Sequence, residues 1–214
     1  MNRILLFLVL IVTLSCKEKN KVNTTQTEEK NKVALEKEVP VLKKLILPSH
    51  NLWSFNRLLF EKSKLKTDKS DSYNIKRASV NETAYATVND IPVVFGSRYR
   101  LSIIAKKGSI GNLFAFRAVG EYPNRIDVVF DLKNGFVNGN KSSGDFITGK
   151  AIITPLQDGW FKCSIITEFE TDMIKIIFGP TSGLRKTIAW EAKTNDFCDN
   201  YIIASSLTLE ELSN

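Results

Sequence analysis

The sequence predicts an all-β protein, an antiparallel β-sandwich of jelly-roll type, carried behind a signal peptide and a disordered tether. Three observations predict it. After Pro48 the chain breaks into short stretches of alternating apolar and polar residues, turn formers separate those stretches, and none of them holds a 3.6-residue period for three turns. The 214 residues, 43% of them hydrophobic, can bury a core, which excludes disorder of the whole chain. A lone histidine, His50, excludes a multi-histidine metal centre and any mechanism that passes protons between two imidazoles.

The elements follow in chain order. Residues 1–15 carry one cation, Arg3, then an apolar run from Ile4 to Leu14 and a small residue, Ser15. Such a run is too short to span a bilayer and reads as a secretory signal peptide. Leu14-Ser15-Cys16 resembles the lipobox of bacterial lipoproteins, with Thr13 where a Leu usually stands. That resemblance implies cleavage before Cys16, a lipid on its thiol and an envelope location, the outer membrane by preference. An ordinary secreted protein is the alternative.

Residues 16–47 read as a tether. From Lys17 to Lys44 there are eight Lys, five Glu and no aromatic residue, a composition that cannot bury enough surface to offset chain entropy. The formal charge of the whole chain is +7, but the signal holds one unit and the tether three, leaving +3 for the domain. Nucleic acid is therefore not an expected partner.

The domain, residues 48–214, is read as strands at Arg98–Ala105, Leu113–Val119, Arg125–Leu132, Ala151–Thr154, Trp160–Phe169, Met173–Phe178, Thr187–Ala192 and Tyr201–Leu209. Gly120–Asn124, Asn134-Gly135, Asn138–Asn140, Gln157–Gly159 and Gly179-Pro180 are the breaks between them. Leu58–Ser79, with Lys62, Lys64, Lys66 and Lys69, and Ser142–Gly149 read as loops. The lysines suit a solvated loop or a sheet edge guarded against aggregation. Cys163 and Cys198 remain once Cys16 is lipidated, and exported cysteines can pair. A buried free thiol is the other reading of Cys163.

Two segments, Phe130-Asp131-Leu132-Lys133-Asn134-Gly135-Phe136-Val137 and Asp158-Gly159-Trp160-Phe161-Lys162-Cys163-Ser164-Ile165, resemble paired motifs of the jelly-roll carbohydrate-binding domains of phage tail fibres and bacterial surface proteins. Asn51–Phe55 is similar to the first strand of that family and Tyr201–Leu212 to the last. The resemblance implies the sandwich and, by analogy, sugar binding. It does not identify a site, because one jelly roll hosts binders and enzymes alike.

Chemistry is sparse. The Glu-x-Asp-x-x-Glu pattern of jelly-roll glucanases is absent, and Glu168 and Glu170 share a strand face with no third carboxylate in register. Arg117, Tyr122, Asn124 and Arg125 flank one turn and come nearest to the constellation of a polysaccharide lyase. No catalytic residue, metal ligand or cofactor is assigned, although loop carboxylates leave room for a structural calcium. Sugar binding asks only for aromatic faces and polar or cationic neighbours. The ligand-binding candidates are Arg117, Tyr122, Arg125 and Trp190. Alternation with Ile188 and Ala192 points Trp190 inward. The expected function is non-catalytic capture of a polysaccharide, with an acidic glycan as one option. A small lyase or hydrolase and a protein-interaction subunit are the rivals.

Overall fold

The computed structural model describes residues 39–67, 70–146, 149–182 and 187–213. The signal peptide, Cys16 and most of the expected tether lie outside them. From Val39 onward the described residues form one compact unit.

Two antiparallel sheets make up the sandwich. The first contains β1 (Val41–Leu45), β3 (Leu58–Thr67), β4 (Ser70–Arg77), β6 (Ser97–Lys107), β10 (Lys150–Pro155), β11 (Trp160–Phe169) and β13 (Asp199–Leu212), in the order β10-β11-β6-β13-β4-β3, with β1 paired to β13. The second contains β2 (Ser54–Asn56), β5 (Tyr85–Pro92), β7 (Leu113–Val119), β8 (Arg125–Asp131), β9 (Phe136–Ser143) and β12 (Met173–Thr181), in the order β2-β5-β12-β7-β8-β9. Alternation sends every second side chain inward. Leu101, Ile103 and Ala105 of β6 and Cys163 and Ile165 of β11 meet Phe114 and Phe116 of β7, Val128 and Phe130 of β8 and Phe178 of β12 in one core.

The motifs that carried the resemblance are structural. Gly135, at φ +71°, closes the β8–β9 turn, and an added Cβ there would lie 2.9 Å from Phe161. Asp131 holds that turn through hydrogen bonds from the backbone N–H groups of Lys133 and Asn134 and the amides of Asn112 and Asn134. Asp158 and Gly159, both left-handed, deliver Trp160 to its buried place.

Several expectations change. The folded part starts before residue 48, because Lys43, Lys44 and Leu45 pair with Glu211, Glu210 and Leu209. Leu58–Thr67 and Ser70–Arg77 are paired antiparallel strands rather than a loop, and β3 is a sheet edge on which Lys62 pairs with Asp71 at 2.7 Å. The edge role foreseen for the lysines therefore holds for Lys62 and Lys64 where a loop was expected, while Lys69 lies outside the described residues. Asn138–Asn140 lies inside β9. Pro180 lies inside β12, past the last β5 pairing at Phe178, where its missing N–H costs no ladder bond to β5. Thr187–Ala192 is not a strand: it turns, with Ala189 at φ +59°. Cys163 and Cys198 are free buried thiols. Cys163 sits opposite Ile103 midway along β6, whereas Cys198 precedes Asn200, which already pairs with Lys107 at the end of β6, so the two are too far apart to bond.

Candidate functional site

The outward face of the second sheet is where the predicted site residues fall. Residues paired across antiparallel strands point the same way, so one row across this face reads Ser54, Thr87, Ile177, Arg117, Asp127 and Lys141. The neighbouring row on one side holds Lys175, Val119, Arg125 and Ser143.

A strap formed by residues 187–197 covers one half of the face. Trp190 packs on Leu113, Ala115 and Val129, with Tyr85 and Ile177 at the margin, as a small second core. Backbone bonds seat the strap: Ala84 N–H donates to Glu191, Thr194 N–H to Val80, and the Thr181 hydroxyl to the Trp190 carbonyl at 2.9 Å. The fully buried Arg77 donates to the carbonyls of Glu82, Glu191 and Ala192. Gly139 gives Thr187 its seat, since an added Cβ would lie 1.9 Å from the Thr187 hydroxyl.

Arg117 lies under this strap, 5% exposed. Its guanidinium donates to Asp127 and to both carboxylate oxygens of Glu191, at 2.8 and 3.2 Å, and lies 5.3 Å from the Trp190 ring centroid. Burial works against the charge on both Arg117 and Asp127. For Arg117 the two carboxylates outweigh it and hold the guanidinium pKa above its ordinary value. For Asp127 burial is the larger influence and pushes the carboxyl upward despite Arg117 and Arg125. Arg125 meets the other Asp127 oxygen at 3.1 Å with its side chain 26% exposed.

The four candidates therefore divide. Arg117 and Trp190 are buried and engaged with the protein, so neither offers a platform to a sugar. Trp190 is inward as expected, but it packs on the outer face of a sheet and not as a strand residue between the sheets. Arg125 is partly open, and Tyr122, on the turn between β7 and β8 with a cis Tyr122–Pro123 bond, is 90% exposed. The lyase-like set does not converge: Asn124 is buried, its oxygen accepting from Asp145 N–H. His50 shares a hydrogen bond with Tyr73 at 3.1 Å inside an aromatic cluster. Glu168 and Glu170 interact: partial dehydration, then the hydrogen bond and charge of Glu168 and the charge of Asp145, raise the Glu170 pKa. Among the described residues, no three or more His, Cys, Asp or Glu gather to hold an ion.

The other half of the face is open. A concavity of about 450 Å³ is lined by Ser54, Phe55, Asn56, Tyr85, Thr87, Asn89, Lys175 and Ile177. Tyr85 lies half-buried at its edge, and among the described residues the side chains of Ser54, Tyr85, Thr87, Asn89 and Lys175 make no hydrogen bond or ion pair to the protein. Sequence reasoning missed these residues because it placed no strand before Arg98 other than Asn51–Phe55. The signal was present in Ala84–Asn89, where Ala84, Ala86 and Val88 alternate with Tyr85, Thr87 and Asn89. A further concavity, near His50 and Trp53, is lined mainly by apolar residues and backbone of the entry segment.

No protein-family profile matches the chain, and no curated protein matches it. Among solved structures, it is similar to the C-terminal carbohydrate-binding module (CBM6) of LamC, a marine laminarinase from Zobellia galactanivorans. The likeness has 9% identity and a TM-score of 0.37, and covers 80% of this chain and 100% of that one.

Proposed function

We propose that this chain is a lipid-anchored envelope protein whose β-sandwich binds polysaccharide, without turning it over, on the open half of the second sheet. The supporting observation is the groove itself. Pyranose rings ask for an aromatic flank and a set of hydrogen-bonding side chains not already spent on the protein, and Tyr85, Ser54, Thr87 and Asn89 supply that combination. The anchor rests on Leu14-Ser15-Cys16, and the tether, ending where β1 begins, lets the module search a radius of some tens of ångströms. Weak single-site affinity suffices there, because many anchored copies can hold one polymer.

The test is affinity electrophoresis of the full chain against a glycan panel, with unsaturated and reducing ends assayed in parallel. Retardation by at least one polymer, unchanged polymer length and about tenfold weaker retention of Tyr85→Ala/Asn89→Ala are expected. Steady depolymerisation would instead favour a jelly-roll lyase or hydrolase. Co-purification with one protein and no retention on any glycan would favour an interaction subunit.

A further inference from the structure

At one end of the same face the open groove runs into a row of cations. Lys175 of β12 pairs with Val119 of β7, which pairs with Arg125 of β8. The two cationic residues thus stand two strand spacings apart, about 10 Å, on either side of a valine. Lys141 of β9, opposite Asp127, adds a third cation beside Arg125. Lys175 and Lys141 are exposed and have no ion-pair partner among the described residues. Two acids on this face are already taken: Asp127 is fully buried and shared by Arg117 and Arg125, and Glu191 is held by Arg117. Exposed carboxylates flank the row at Glu121 on the neighbouring turn, at Asp172 before β12 and at Asp90 in the β5 bulge opposite Lys175, but none of them forms an ion pair with Lys175 or Lys141 among the described residues.

We infer that this end of the groove is an acid-reading subsite, in which Lys175 and Arg125 pair with carboxylate or sulfate groups carried by the bound polysaccharide. The inference rests on the polysaccharide reading and narrows it to acidic polymers. A lysine left without an ion-pair partner beside an open groove attracts an acid group and holds it by charge-assisted hydrogen bonds, a gain beyond the ordinary hydrogen bonds a neutral sugar can accept. Arg125, engaged by Asp127 through its Nε, keeps further N–H donors for the same group. Arg125 is prepared for the role because Asp127 engages its Nε from below and fixes its stem. Lys175 belongs to both the groove and the cation row, so it joins the neutral and acidic parts of one binding surface.

The test uses the full chain and two matched pairs of probes: polygalacturonate with its carboxyl-reduced counterpart, and dextran sulfate with dextran. The acidic member of at least one pair is expected to bind about tenfold more tightly, and which pair responds distinguishes carboxylate from sulfate. Lys175→Glu should remove most of that preference, weakening the acidic member of the pair by a clearly larger factor than its neutral partner. Raised salt should act only on the acidic polymers. Because Lys175 is exposed, an unchanged melting temperature serves as the control for folding.

Equal binding within both pairs, with Lys175→Glu silent, would overturn the subsite while leaving polysaccharide binding standing. No binding to any of the four polymers or to the wider glycan panel would overturn both. Duplex DNA bound as tightly as the preferred acidic polymer would also overturn the inference, since the surface would then be a non-selective polyanion site.

Discussion

The two halves of the second sheet's outer face lie side by side on neighbouring strands and have opposite fates. Under the strap, Leu113, Ala115, Val129 and Trp190 form a dry patch, and Arg117 is neutralised by Asp127 and Glu191. Beyond the strap, β5 and β12 leave Tyr85, Thr87, Asn89 and Lys175 around an open concavity. The contrast shows that a cation on a sheet face says little about function until its cover is known. Arg117 and Lys175 sit on one face of adjacent strands, yet one is a structural ion and the other is free to meet a ligand.

The contrast can be broken most forcefully at Trp190. Trp190→Ala empties the second core and strips the aromatic cover from Arg117, so a loss of about 3–5 kcal/mol is expected in chemical denaturation. Trp190→Phe should cost far less, because the buried indole N–H has no hydrogen-bond partner among the described residues. A loss as large as that of the alanine variant would show that the indole edge, and not the packed area, holds the strap. On the open half, Asn89→Ala should leave stability within about 0.5 kcal/mol of wild type while weakening glycan retention. A large stability loss there would erase the distinction between the halves.

The smallest effect concerns the end of the covered half, where Leu113 pairs with Asp131. Burial alone would raise the Asp131 pKa, but hydrogen bonds from Asn112, Asn134 and the Lys133 and Asn134 N–H groups draw it below its ordinary value. A carboxyl depressed in this way adds stability above its unfolded pKa of about 4 and loses it as pH falls through the lower folded value. The melting-temperature gap between wild type and Asp131→Asn should therefore be widest above about pH 5 and shrink below about pH 4. A gap that stays constant down to low pH would mean that the hydrogen bonds do not depend on ionisation.

Much of the fold was legible because alternation is a local signal. Leu113–Val119 and Trp160–Phe169 coincide with β7 and β11, and the inward pair Phe114 and Phe116 could be read directly from their spacing. The hairpin of β3 and β4 was hidden because Lys62 and Lys64 fall where the strand extends past the core, so their spacing carries no apolar partner. The 187–192 segment misled for the opposite reason. Ile188, Trp190 and Ala192 alternate like a strand, but the left-handed Ala189 turns the chain so that only Trp190 is buried.

By itself the sequence determined the sandwich and its main turns, since each depends on neighbours a few positions apart, and the weak charge of the domain, which is a sum over its residues. It also offered Arg117, Tyr122, Arg125 and Trp190 as candidates. Only the tertiary structure decided which of them a ligand can touch. Exposure is set by a strap that returns to β7 and β8 from more than fifty residues away, anchored by Arg77 and by Gly139, and no pattern within a strand records what will be laid across its face.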